Sequence, residues 1–145
     1  MNRTLSRPTP AMFWIVAFLS LLWNSFGAFD FTMTNIRDPG YLAQFPAEMI
    51  QLIDTFPLWA VAAWGFGVWG ALAGSLLLLL RSSYAVHAFA LSLAGLAVST
   101  VYQWTLDLPP AMTTPGMIAM NLVIWAGALF LLWYAIRQRK AGILR

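Results

Sequence analysis

The sequence predicts an all-α fold, an integral membrane four-helix bundle. Hydrophobic residues make up 61% of the 145 positions and charged residues only 9%, whereas a soluble globular domain has about 25% charged residues. Four long runs carry no charged residue. If these runs cross a membrane, most of the basic residues lie at run ends on the same side of it. We therefore expect residues 1–145 to form a single membrane domain.

The four uncharged runs cover residues 11–29, 58–80, 84–106 and 116–136. Each approaches or exceeds the roughly 20 residues that a helix needs to cross the hydrocarbon core of a bilayer. The first run has a second interpretation, a signal peptide cleaved before Ala28, because Ser25 and Gly27 are small residues at the positions that matter for cleavage. The run is longer than the apolar core of a signal peptide, which has about 7–15 residues. We therefore expect it to remain in the membrane as one of four spans.

The basic residues predict the orientation of the spans. Seven of the eight precede the first span, join the second to the third or follow the fourth: Arg3, Arg7, Arg81, Arg137, Arg139, Lys140 and Arg145. Only Arg37 falls on the opposite side. Because cytoplasmic loops carry the excess of Lys and Arg, this distribution predicts that both termini are cytoplasmic.

Residues 30–57 form the only sizeable loop outside the predicted spans. Within it Asp38-Pro39-Gly40 is a turn signal, and Pro46 is suited to begin a short helix over residues 46–56. Apolar residues recur at helical spacing on one side of this segment: Met49, Ile50, Ile53 and Phe56. That pattern predicts an interfacial helix, which is either a plain amphipathic connector or a lid over the bundle.

The second and third spans each carry small residues at spacings of four, three and four. The two sets are Ala63, Gly67, Gly70, Gly74 and Ala88, Ser92, Gly95, Ser99. Small residues let helix backbones approach closely within a membrane. An antiparallel hairpin would pair them as Gly74 with Ala88, Gly70 with Ser92, Gly67 with Gly95 and Ala63 with Ser99. The alternative is that one glycine stripe forms the interface of a homodimer.

Three amide side chains lie at similar predicted depth in three spans, and polar groups inside a membrane indicate either function or helix pairing. They are Asn24, Gln103 and Asn121. One hypothesis is a ligand-binding pocket open to the outside, with Trp23 and Trp104 or Tyr102 as aromatic walls, for neutral hydroxylated molecules such as sugars. The other is a set of interhelical hydrogen bonds of about 0.6 kcal/mol each, which would fix how the spans pack.

Several functional classes lack their required residues in this sequence. There is no cysteine and a single histidine, His87, so we expect no metal site and no cofactor. No Asp, Glu, Lys or Arg falls within the four runs, which argues against an intramembrane proton relay. We find no catalytic constellation, and the basic residues are explained by topology rather than by nucleic-acid binding. We therefore expect a protein that is not an enzyme.

Three segments resemble a known group of proteins: "LLWNSFGAFDFTMT", "FPLWAVAAWGFGVWGALAGSLLLLLRSSYAVHAFALSLAG" and the short basic tail. Together they are similar to an uncharacterised family of bacterial four-span inner-membrane proteins, some of which carry the automatic label "sugar transporter". The resemblance implies residence in the bacterial inner (plasma) membrane and a sugar as one candidate ligand. A vaguer similarity to four-span DoxX-type proteins would imply a redox-associated membrane subunit.

Two functions remain open at this point. The first is binding or transport of a small neutral solute, and the second is a non-catalytic accessory subunit that packs against another membrane protein. Solute binding predicts that the three amides share one water-accessible pocket. An accessory role predicts an exposed small or aromatic stripe and no pocket.

Overall fold

A computed structural model describes residues 9–145; Arg3 and Arg7 lie outside this range. The elements are helices α1 (Ala11–Asn35), α2 (Pro39–Leu42), α3 (Ala47–Asp54), α4 (Leu58–Leu79), α5 (Ala85–Trp104), a 3₁₀ helix (Pro110–Met112) and α6 (Pro115–Lys140). The described residues contain no strand. Within the same range α1, α4, α5 and α6 are long and apolar enough to cross a membrane, which confirms the predicted all-α fold with four helices of this kind.

Two of the four long helices extend beyond their uncharged runs. The α1 helix continues past residue 29 to Asn35 and so includes Asp30, and α6 continues past residue 136 to Lys140. Hydrophobicity marks where a helix can lie in lipid, but helical hydrogen bonding continues until a terminating residue intervenes. For α1 that residue is Arg37, whose φ of 59° lies in the left-handed region and ends regular helix geometry.

The α4 and α5 helices form an antiparallel hairpin and pack against each other more extensively than any other pair of described elements. A Cβ added at Gly70 would lie 3.2 Å from Cα of Ser92, and one at Gly95 would lie 3.1 Å from Cα of Gly67. Ser92 also donates a hydrogen bond of 2.5 Å to the carbonyl oxygen of Gly67. Two of the predicted pairs are therefore in direct backbone contact.

The other two predicted pairs differ in detail. The ring of Phe89, rather than Ala88, lies next to Gly74, where an added Cβ would be 2.7 Å from the ring. The missing side chain of Gly74 leaves room for this large ring, which takes the place expected for the small neighbour. Ala63 and Ser99 are both buried, and the carbonyl oxygen of Ala63 faces the backbone of Gly95.

The remaining helices extend this hairpin on both sides, with α1 against α4 and α6 against α5. All four long helices meet at the end of the bundle that carries the first residues of α1 and the last residues of α6, here called the terminal end. A single buried cluster fills it, with members that include Phe13, Ala17, Leu78, Phe89, Leu131, Tyr134 and Ala135. The rings of Phe13 and Tyr134 stack with centroids 6.4 Å apart, which joins α1 to α6.

The tail after α6 is part of the terminal end. Leu144 is only 4% exposed and belongs to the buried cluster. Two backbone hydrogen bonds of 2.8 Å tie this tail to the turn between α4 and α5, from Ser83 to the carbonyl of Arg145 and from Arg145 to the carbonyl of Arg81. Arg81 has a φ of 57°, and its side chain donates to the carbonyl of Ile143. The tail therefore holds the turn and α6 together.

The opposite end, here called the loop end, carries the short helices. Asp38 caps α2 by accepting a 2.7 Å hydrogen bond from the backbone of Tyr41. The α3 helix contacts the 3₁₀ helix and is shorter than the predicted residues 46–56. Its larger apolar residues are partly buried, whereas Glu48, Gln51 and Asp54 are exposed. Arg37 and Asp54 form a surface ion pair that joins the end of α1 to α3.

Candidate functional site

A cavity of about 460 Å³ lies between the four long helices in the loop-end half of the bundle. This volume falls within the range of about 300–1,000 Å³ that is typical of small-molecule sites. The buried cluster at the terminal end limits the cavity on one side, since Phe89 and Leu131 belong to both. Tyr41, Phe45 and Met49 from the loop lie against it on the other side. The cavity is thus bounded by the bundle core and by the loop segment.

Asn24, Gln103 and Asn121 all line this one cavity, from α1, α5 and α6 respectively. Three α5 residues with hydroxyl side chains, Ser92, Ser99 and Thr100, also line it. The remainder of the wall is mostly apolar. The arrangement combines a few polar groups from different helices with a hydrophobic surround, which is the usual composition of a ligand pocket.

The amide of Asn24 is partly used within the protein. Its Nδ2 donates a 2.8 Å hydrogen bond to Oγ of Ser75 and a longer one of 3.4 Å to the carbonyl of Ala71. Ser75 is fully buried and itself donates to the Ala71 carbonyl. These bonds connect α1 to α4, so Asn24 has the helix-pairing role that formed the second hypothesis for the amides.

The amides of Gln103 and Asn121 are arranged differently. Neither makes a side-chain hydrogen bond to another of the described residues. Gln103 has no fully buried side-chain atom that lacks a partner, and Asn121 is exposed, so both amides retain contact with open space. Each offers one acceptor oxygen and two donor hydrogens. These two side chains are therefore free to bind a guest molecule.

Asp30 is a lining residue that the sequence analysis missed. The uncharged run stops at residue 29, but α1 continues and brings the Asp30 carboxylate to the cavity wall. The Tyr41 hydroxyl donates a 2.5 Å hydrogen bond to this carboxylate. Burial, followed by the hydrogen bond and the negative charge of Asp30, raises the pKa of Tyr41 to about 12. Helical spacing from Trp23 and Gly27 to Asp30 could have revealed that these three residues lie near one face of α1.

The aromatic residues around the cavity are only partly those expected. Trp23 lines it, but Trp104 does not, and the side chain of Trp104 is 78% exposed. Tyr102 also lies outside the lining, where it makes edge contacts with Phe56 and Trp59 at centroid distances of 5.2 and 5.0 Å. Successive positions on α5 point about 100° apart, so Gln103 on the wall turns both neighbours away from it. The other aromatic walls come from Phe26, Tyr41, Phe45, Trp64 and Phe89.

His87 lies away from the cavity. Its ring is exposed near the start of α5 and lies 5.9 Å from the ring of Tyr84. No cluster of three or more potential metal ligands occurs among residues 9–145. The chemistry available at the cavity is therefore hydrogen bonding, one carboxylate and aromatic faces.

Searches with this chain found no matching protein family, curated protein or solved structure.

Proposed function

We propose that this protein binds or transports a small neutral solute, such as a sugar or polyol, and that the solute occupies the cavity. The observation that supports this most strongly is that amides from three different helices line one cavity, with those of Gln103 and Asn121 unused. Sugar hydroxyls both donate and accept hydrogen bonds, as amides do. Trp23 and Trp64 supply apolar faces against which a sugar ring can pack.

The charges at the cavity also fit this class of solute. Asp30 is its one charged lining residue among residues 9–145, and the carboxylate is already engaged by Tyr41. An anionic solute would meet a negative charge with no basic side chain to offset it. A hydroxyl group, in contrast, can donate to the second oxygen of Asp30.

The proposed setting is the inner membrane of a bacterium, with both termini in the cytoplasm and the loop end outside. Arg81, Arg137, Arg139 and Lys140 all lie at the terminal end, and the positive-inside rule assigns such an end to the cytoplasm. In this orientation the cavity lies in the outer half of the bundle.

Thermal unfolding of the purified protein in detergent, with a panel of sugars, polyols and quinones, tests the proposal. A ligand that binds only the folded state adds about 2.7 kcal/mol of stability at a concentration 100 times its Kd. We expect a concentration-dependent rise in melting temperature with a sugar or polyol, and its loss in Gln103→Ala and Asn121→Ala.

Asn35→Ala is the matched control, because this exposed amide binds only the Phe31 carbonyl of its own helix. It should retain the full ligand response. A rise that persists unchanged in both cavity variants would place the ligand elsewhere. The absence of any rise from a well-folded sample would contradict the proposal.

An accessory subunit remains the second candidate, and one observation favours it. Every side chain from residue 113 to residue 124 is exposed, so the loop-end half of α6 has few protein neighbours. A second membrane protein or a second copy of this chain could cover that surface. This candidate would be supported if the parent protein captures the same stoichiometric partner from native membranes and Leu122→Trp does not.

A further inference from the structure

The ring of four helices is incomplete on one side. The α1 helix packs on α4, α4 on α5 and α5 on α6, but α1 and α6 have no comparable contact along their length. They are joined at the terminal end by Phe13 and Tyr134. Towards the loop end the gap is bridged by Trp23, whose Nε1 would be 4.0 Å from a Cβ added at Gly127. The cavity therefore has a side that faces the bilayer.

A groove of about 280 Å³ runs along this gap on the outer surface of the bundle. Its walls are almost wholly apolar and include Val16 and Leu19 from α1 and Val123 and Phe130 from α6. Trp23 and Leu131 line both the groove and the cavity. These two side chains thus separate a polar compartment inside the bundle from an apolar channel in the membrane.

We infer that the natural ligand is a neutral single-chain amphiphile, whose hydroxylated head occupies the cavity and whose hydrocarbon chain lies in the groove between α1 and α6. This inference rests on the proposed function and specifies its ligand class. The head meets the amides of Gln103 and Asn121, and the chain leaves past Trp23 into lipid. The ligand enters sideways from the bilayer.

The distribution of polar groups supports an amphiphile over a wholly polar molecule. The polar side chains that line the cavity include residues of α1, α5 and α6. The groove offers only the indole N–H of Trp23 and the Ser20 hydroxyl, which already donates to the Ala17 carbonyl. A free sugar would fill only the cavity, and lipid tails would occupy the groove. An amphiphile matches both compartments, because each part of it meets a surface of its own polarity.

The head group should be uncharged. The carboxylate of Asp30 repels an anionic head, and no Lys or Arg among the described residues lines the cavity. A cationic head could approach Asp30, but it would compete with the Tyr41 hydroxyl for the carboxylate and would leave the amide donors without acceptors.

A photoreactive monoacylglycerol with a diazirine midway along its acyl chain tests the inference, with the full chain in phosphatidylcholine nanodiscs. After irradiation, mass spectrometry identifies the labelled residues. We expect label concentrated at Leu19 and Val123 and reduced about tenfold by excess unlabelled monoacylglycerol. Val123→Trp, which fills the groove from a 53% exposed position, and Asn121→Ala should each give a similar reduction.

Leu122→Trp is the control, since Leu122 is 67% exposed and lies outside the groove. Gly127→Leu is a second way to close the groove if Val123→Trp folds poorly. Label spread evenly over the lipid-facing helices, or unchanged in both groove variants, would overturn the inference. If an alkyl ammonium competes more strongly than monoacylglycerol, the inference that the head group is uncharged is wrong.

Failure of this inference can be told apart from failure of the proposed function. If a soluble polyol stabilises the protein through Gln103 and Asn121 but the groove is not labelled, the cavity binds a free solute and the amphiphile is rejected. If neither stabilisation nor specific label is found, both are rejected.

Discussion

Asn24 and Asn121 line the same cavity, yet their surroundings give them different roles. Asn24 donates to Ser75 and Ala71 of α4, whereas the Asn121 amide has no hydrogen-bond partner among the described residues and faces open space. A polar group held by protein contributes to stability. One that contacts a cavity contributes to binding, so a stability measurement separates the two roles.

Asn24→Ala should lower the free energy of unfolding by about 0.6 kcal/mol, and by no more than about 1.7 kcal/mol. Asn121→Ala should change it by less than about 0.5 kcal/mol, as expected for a residue without buried partners. Reversible unfolding in mixed detergent micelles, without ligand, measures both. Equal losses in the two variants would show that Asn121 also has a structural partner.

The hydrogen bond from Tyr41 to Asp30 predicts a pH dependence. The pKa of Tyr41 is raised from 10.0 to about 12, so its stabilising effect is fully present below pH 10 and is lost as the pH rises through 12. Tyr41→Phe should melt at a lower temperature than the parent protein at pH 8, and this difference should shrink between pH 10 and 12. All other groups are the same in the two proteins, so their effects cancel in the difference. A constant difference would contradict the assignment.

At the scale of the helices, Gly95 is the glycine of the α4–α5 hairpin that lies closest to the facing backbone. A Cβ there would lie 2.6 Å from both the Ala63 carbonyl oxygen and the Gly67 backbone nitrogen. Neither backbone atom can rotate away as a flexible side chain could. The two helices must therefore move apart to accept any larger residue.

Gly95→Ala should destabilise the protein by about 1–3 kcal/mol through this overpacking. Gly116→Ala is the control, because a Cβ at Gly116 has nothing within 4 Å, and it should be neutral or slightly stabilising. Thermal unfolding of both variants in one detergent provides the comparison. Equal stability of the two variants would contradict the close packing at Gly95.

The tail after α6 gives a second prediction for the elements. Leu144 is 4% exposed and Leu80 is 76% exposed, although both lie at the terminal end. Leu144→Ala should destabilise by about 2 kcal/mol or more, because it opens a cavity in the buried cluster. Leu80→Ala should change stability by less than about 0.5 kcal/mol. Similar effects would show that the tail is not docked in solution.

For the molecule as a whole, features with a strong local signal could be predicted from the sequence. Uncharged length predicted the four long helices, and small residues at regular spacing predicted that Gly70 meets Ser92 and Gly67 meets Gly95. One of the two hypotheses placed the three amides together, because they lie at similar predicted depth in three spans. Each of these predictions depends on positions within individual spans or on two spans joined by a tight turn.

Features that depend on distant packing could not be predicted in this way. Hydrophobicity gave no sign that α1 continues to Asn35, and so Asp30 was assigned to a loop. The docking of Leu144 depends on a site built from α4, α5 and α6. Trp104 or Tyr102 was expected in the cavity wall, but the rotation between neighbouring helical positions directs both away from the wall that Gln103 lines.

The central claim is that the cavity is an aqueous, amide-lined site rather than an empty gap in lipid. Since the chain has no cysteine, single variants Gln103→Cys, Asn121→Cys and Leu122→Cys can each be labelled with a small membrane-impermeant thiosulfonate. The thiolate that reacts forms only in contact with water. We predict rapid labelling at 103 and 121 from the loop side and little labelling at 122. Equal rates at 121 and 122, or no labelling at 103 and 121, would contradict the account.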